Sequence, residues 1–146
     1  LIVALESIRD PGNLGTIIRT CEWFGVNDII CSNDSVDCFN PKVVQSAMGS
    51  LARISINYLD LNSYLKNTKL NLTGMTLNGD SLYTNKSSFE KGILIFGNEA
   101  NGISDKLLSV LNQNLTIPRS INSDFPESLN LSISVGIVLG EIKRKI

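Results

Sequence analysis

Glu6-Ser-Ile-Arg-Asp-Pro-Gly-Asn-Leu-Gly-Thr-Ile-Ile-Arg19 is the stretch that decides how this chain folds. It takes over from the apolar run Leu1–Leu5 and turns it, through Pro11-Gly12, into a helical pattern expected from about Leu14 to Phe24. Ile17, Ile18, Cys21 and Phe24 share one stripe of that helix, and Gly25 stops it. A continuous apolar strand that breaks into a polar turn and then a helix is the repeating unit of α/β proteins. Their ligand sites gather where the strands end.

Moving outward, the unit recurs. Apolar, β-branched runs lie at Leu1–Leu5, Asp28–Cys31, Ile54–Tyr58, Leu70–Leu77, Ile93–Phe96 and Leu115–Ile117. Most are continuous rather than alternating, as strands covered on both faces should be. Helical patterns stand between several of them, at Pro41–Gly49, Leu61–Lys66 and Asp105–Leu111. The expected fold is therefore α/β, a mostly parallel sheet with helices on both faces. The C-terminal stretch Ser128–Val135 alternates with period two, which alone reads as a strand. Leu131, Val135, Val138 and Ile142 recur at helical spacing, so a helix from about Glu127 to Lys145 is expected. Ser132, Gly136 and Gly140 would form a small-residue stripe on it, open to another helix. Trp23 and Met48 are assigned to core or interface packing.

Composition narrows the chemistry. The chain's 146 residues suit one domain, and 42% hydrophobic with 18% charged residues is ordinary for a globular protein. No apolar run approaches the ~20 residues of a membrane span, and no signal-peptide pattern is present. Leu1 opens the chain inside an apolar run without a methionine, so a missing N-terminal region is expected. Three cysteines, Cys21, Cys31 and Cys38, without C-x-x-C spacing read as free thiols in a reducing cytoplasm. Histidine is absent, which excludes a Ser-His-Asp triad, a Cys-His pair and the usual His-bearing metal sites. The net charge of -1 speaks against a broadly basic nucleic-acid surface, although a local cluster can still bind phosphate.

Three polar segments at strand ends stand out. In the first, Gly12, Gly15, Thr16 and Arg19 fall at i, i+3, i+4 and i+7, with Asn13 a good helix N-cap. Missing side chains there would bare N–H groups for an anion, and Arg19 could hold a phosphate on the same face. It is not a P-loop, since G-x-x-x-x-G-K-[ST] is absent. The second, Gly97-Asn-Glu-Ala-Asn-Gly102, follows Ile93–Phe96. By itself it is a turn leading to a helix capped near Ser104, yet the Glu99 carboxylate also fits a site for ribose hydroxyls or an amine. Spacing alone does not choose. The third runs from Ile117-Pro118-Arg119 through a polar loop to Pro126, with Ser128 and Asn130 at the start of the last helix. Alone, it is a capped helix.

Taken in order, the three segments resemble the three motifs of the SpoU branch of the SPOUT RNA methyltransferases, over about residues 1–142. That resemblance implies the SPOUT α/β-knot, a parallel sheet whose C-terminal segment threads a deep trefoil knot. It implies transfer of a methyl group from S-adenosylmethionine to a ribose 2′-hydroxyl of rRNA or tRNA by a cytoplasmic homodimer, with no metal. Arg19 and Asn13 match the first motif, Glu99 the second, and Ser128 and Asn130 the third. Arg19 is the residue such enzymes use on the RNA phosphate, facing the donor bound by the other subunit. The donor would be held largely by backbone groups at Leu77, Gly97, Asn98, Ile117 and Leu129, and the RNA also by Arg9 and Arg119. Two positions depart from the pattern. Ala100 stands where Gly is common, and Pro118-Arg119-Ser120-Ile121 replaces Pro-Met-x-Gly, with a longer connection to Glu127. A non-catalytic knotted RNA-binding module is the alternative from another class. A nucleotide-binding domain is a third, though both the P-loop and the G-x-G-x-x-G fingerprint are missing.

Overall fold

The computed structural model describes residues 1–85, 89, 91–120 and 128–144. Six strands, β1 (Ile2–Leu5), β2 (Asp28–Ser32), β3 (Ser55–Leu59), β4 (Asn71–Ser81), β5 (Gly92–Phe96) and β6 (Gln113–Thr116), form one sheet in the order β3-β2-β1-β5-β4-β6. Every pairing among them is parallel. The helices are α1 (Pro11–Trp23), α2 (Pro41–Ala47), α3 (Leu61–Asn67), α4 (Asp105–Leu108) and α5 (Leu131–Arg144). The parallel sheet read from the sequence is there.

Burial on both faces explains the continuous apolar runs. Val3 and Leu5 of β1 join Ile29, Cys31, Leu94 and Phe96 on one face, under Ile17 and Ile18 of α1, Val43 of α2 and Val135, Val138 and Ile142 of α5. Ala4, Ile30, Ile93 and Ile95 face the other way, under Leu61 and Leu65 of α3 and Leu107 of α4. Each fully buried Leu, Ile or Val contributes about 1.5–3 kcal/mol relative to exposure. Burial also pushes the Cys21 and Cys31 thiols up to about 12, so both are chemically quiet.

Several local expectations are corrected. Helix α1 begins at Pro11 rather than near Leu14, and its N-cap is Asp10, not Asn13. Pro11 needs no partner for a missing N–H, and the Asp10 carboxylate accepts from the Asn13 N–H at 2.7 Å. Helix α5 begins at Leu131, because Asn130 Oδ1 accepts from the N–H groups of Ser132 (2.9 Å) and Ile133 (3.3 Å). Helix α4 stops at Leu108. Strand β4 is longer than expected and irregular: Met75 and Asp80 both pair with Leu115, so residues 76–79 leave the ladder. Trp23 (84% exposed) and Met48 (68%) lie outside the core. Trp23 falls off the Leu14, Ile17, Ile18, Cys21 stripe that the sheet covers.

The small-residue positions of α5 meet α1 of the same chain. A Cβ at Gly136 would lie 3.9 Å from Thr20 and one at Gly140 3.6 Å from Phe24, both ordinary contacts. The expected loop to Pro126, with Glu127, falls on residues 121–127, which like Lys145 lie outside the described residues.

Candidate active site

Strand order locates the crevice. From β1 the chain moves outward through β2 to β3, whereas from β5 it moves the other way, past β4 to β6. The helices after β1 and β5 leave on opposite faces, α1 on one and α4 on the other. Two loops therefore diverge at the C-terminal ends of neighbouring strands, the topological switch point at which open α/β sheets bind ligands. The first two sequence motifs are those two loops.

Their close approach depends on Gly97. A Cβ there would sit 2.0 Å from the Gly102 carbonyl carbon, so only glycine lets the loop fold back on itself. The turn closes by paired backbone bonds between Asn98 and Gly102, at 3.0 and 2.8 Å. Asn98 Oδ1 accepts from the N–H groups of Ala100 (2.9 Å) and Asn101 (3.2 Å). Its Nδ2 donates across the crevice to the Ser7 carbonyl at 2.8 Å. Glu6 Oε2 accepts from the Ser104 N–H at 2.8 Å, a second tie between the loops.

On this frame the three motifs meet. Asn13 Nδ2 donates to Glu99 Oε1 at 3.2 Å, and Asn130 Nδ2 donates to Asn13 Oδ1 at 3.0 Å. Residues 86 and 117 positions apart thus form one string, Glu99–Asn13–Asn130, on the exposed side of the crevice. Its polarity is fixed. Each Asn amide donates to the next acceptor, leaving the second Glu99 oxygen to receive a ligand hydroxyl or amine.

Other expected residues lie around this string. Leu77 sits on the segment of β4 that leaves the ladder, 69% exposed, and its carbonyl accepts from Thr116 Oγ1 at 3.2 Å. That bond brings Leu77 beside Ile117, which is half-buried. Leu129 and Ser128 are exposed next to Asn130. Arg119 is exposed beyond β6, and Arg9 donates to Asp34 at 2.9 Å.

Arg19 does not join the string. It is exposed on α1, six residues beyond Asn13, about 9 Å further along the axis and on a different face. The glycine stripe that was to bare N–H groups for an anion does something else. A Cβ on Gly15 would lie 2.5 Å from Ser46 Cβ and 2.6 Å from the Val43 carbonyl, so Gly15 seats α2 against α1. The helix N-terminus is already occupied by the Asp10 carboxylate. Sequence reading passed over Asp10, although an acid directly before a proline is a recognisable cap signal. It also passed over Ser7, Ser32 and Asp34, which no local pattern marks.

The model of the SpoU rRNA Methylase family matches residues 1–140. The chain belongs to that family. Among SpoU-family relatives, the 23S rRNA (guanosine(2553)-2'-O)-methyltransferase RlmP of Bacillus subtilis (strain 168) is 30% identical over 145 residues, 97% of this chain and 57% of that protein. A solved structure from Porphyromonas gingivalis, assigned to the TrmH family, superposes with a TM-score of 0.92 at 38% identity, covering 99% of this chain and 59% of the other. An AdoMet-bound rRNA methyltransferase from Sinorhizobium meliloti gives 0.87 at 33%, covering 98% and 55%. The chain spans about half the length of the curated relatives it matches. Among the described residues, no helix is long and apolar enough to cross a membrane, and no group of three or more His, Cys, Asp or Glu side chains could hold a metal ion.

Proposed function

We propose that this SpoU-family chain is the catalytic domain of an RNA 2′-O-ribose methyltransferase that takes its methyl group from S-adenosylmethionine. The observation that carries the reading is the Glu99–Asn13–Asn130 string at the switch point between β1 and β5. It draws all three motifs to one place and leaves polar groups aimed outward. The donor's electrophilic methyl, when bound, supplies the group to be transferred. What the protein must add is position and electrostatics.

The residues fit such a donor. The irregular segment of β4 frees backbone groups near Leu77, beside the end of β6, and Leu77 and Leu129 offer exposed apolar surface for a purine. Leu77, Gly97, Asn98, Ile117 and Leu129 would hold the donor, in a pocket completed by the C-terminal knot of the family. Glu99, with Asn13, Asn130 and Ser128, would orient ribose hydroxyls and the donor's polar end. Arg19 would bind the phosphate next to the target ribose and stabilise the 2′-oxygen as it loses its proton. A guanidinium keeps its own proton in water, so it acts as a cation and not as a free base. Arg9 and Arg119 would add phosphate contacts.

Because Arg19 stands apart from the string within one chain, the reading includes a homodimer in which Arg19 of one subunit faces the string of the other. Exposed apolar side chains on the two packed helices, Trp23 of α1 and Ile133 of α5, offer surface for that contact. Similarity to an rRNA enzyme makes bacterial-type ribosomal RNA the first substrate to try, with a cytoplasmic location. Calorimetry with S-adenosylhomocysteine, with ATP and NAD as controls, is the direct test. Selective binding near one ligand per chain is expected. Binding of ATP or NAD instead would defeat the reading, and donor binding without methyl transfer by the whole protein would point to a non-catalytic RNA-binding module.

A further inference from the structure

We infer that Asp34, on the loop after β2, is a positioning residue for the crevice, holding Ser7 in a strained turn whose carbonyl anchors the Glu99 loop. Ser7 has φ of 52°, a left-handed conformation that residues other than glycine rarely adopt. Such a turn persists only where its surroundings hold it.

They do so with every polar group Ser7 has. Its N–H donates to Ser32 Oγ at 2.7 Å, its hydroxyl donates to Asp34 Oδ2 at 2.7 Å, and its carbonyl accepts from Asn98 Nδ2 at 2.8 Å. Proton bookkeeping makes Asp34 the organiser. Ser32 has one hydroxyl proton, and the 2.6 Å contact to Asp34 Oδ1 uses it. That leaves the Ser32 lone pairs to face the Ser7 N–H. The carboxylate is an acceptor only, so it sets the direction of both hydroxyls at once, one on each oxygen. Arg9, donating to Oδ2 at 2.9 Å, neutralises it from the solvent side. In keeping with this, the two serine hydroxyls, Ser32 foremost, hold the Asp34 carboxyl below its ordinary range.

The consequence passes to the neighbouring loop. Asn98 is the hinge of the Gly97–Gly102 turn, and its Nδ2 has the Ser7 carbonyl as its acceptor, while its Oδ1 ties down Ala100 and Asn101. If Ser7 relaxes to negative φ, its carbonyl swings away and Glu99 loses the support that keeps it in reach of Asn13. Asp34 itself touches none of the string.

The inference deepens the proposed reading and rests on it only for the effect on turnover, so the test uses a structural readout as well. In the whole protein, Asp34→Ala and Asp34→Asn should both speed amide exchange at Ala100 and Asn101 roughly tenfold, with β5 amides unchanged. The asparagine keeps the shape but presents a donor to one of the two hydroxyls. Adding Ser7→Gly to Asp34→Ala should restore most of the protection, because glycine holds the turn without help. In methyl transfer, turnover should fall and the KM for the donor should rise, because Gly97 and Asn98 belong to the loop that loosens, and both should recover in the double variant. Unchanged exchange in both Asp34 variants would overturn the inference, as would a double variant no better than Asp34→Ala. If the wild-type protein transfers no methyl group but exchange responds as described, the catalytic reading fails and the role of Asp34 stands.

Discussion

Arg19 and Asn13 share one helix yet do different work, and the difference is geometric. Six residues of α-helix turn the two side chains about 120° apart, so Asn13 joins Glu99 and Asn130 while Arg19 faces solvent. Substituting Arg19→Ala should therefore cost about 10²–10³-fold in methyl transfer, the scale of losing one pre-placed electrostatic group. S-adenosylhomocysteine affinity should change little, because Arg19 touches none of the groups assigned to the donor. Rapid-quench transfer assays beside calorimetry separate the two quantities, and a parallel loss of donor affinity would show that the roles are wrongly divided. Asn13, Glu99 and Asn130 could be singled out in the sequence only through the resemblance to three ordered motifs, since each segment alone reads as a turn or a helix cap. Ser7 and Asp34 could not. Their contact spans 27 positions and depends on a backbone angle, and neither leaves a periodic or compositional trace.

At the scale of elements, glycine at position 15 is a packing residue. It lets α2 lie against α1 so closely that any Cβ would overlap both a side chain and a carbonyl of α2. A Gly15→Val variant should lose about 1–3 kcal/mol, the usual range for overpacking, or more if the Val43 carbonyl cannot give way. A lowered urea midpoint at constant m-value would report it. Unaltered stability would mean that the helices separate at no cost. The i, i+3, i+4, i+7 spacing read from the sequence was real, but its meaning depended on what faced it. Spacing along one helix cannot tell an anion from a second helix that arrives thirty residues later. Strand positions fared better, since runs buried on both faces stay apolar whatever their neighbours. The 76–79 excursion of β4 was hidden because Asn78-Gly79 reads as the turn that ends a strand, so the expected run stopped at Leu77 and the return to the ladder at Asp80 left no local signal.

The whole molecule poses the problem of where the cation and the string come together. The parallel sheet followed from alternating patterns, but strand order, and with it the switch point, depends on non-local pairings such as β1 with β5 that no window of sequence contains. Within one chain the fold sets Arg19 on an outward face of α1, and leaves Trp23 almost wholly exposed at the end of the same helix. A C2 dimer across α1 and α5 would cover that apolar surface and carry Arg19 to the partner's string, each contact occurring twice. Complementation tests this directly. Arg19→Ala and Asn130→Ala subunits, each inactive alone, should regain activity when unfolded together and refolded as a mixture. Random pairing makes half of the dimers mixed, and in each of these one of the two composite sites is intact, so about a quarter of wild-type activity is expected. If both defects instead lay in one self-contained site, every subunit in the mixture would remain defective and no activity would return. An intermediate subunit-exchange rate would only slow the recovery, so refolding from denaturant, with sedimentation to verify dimers, gives the limiting value.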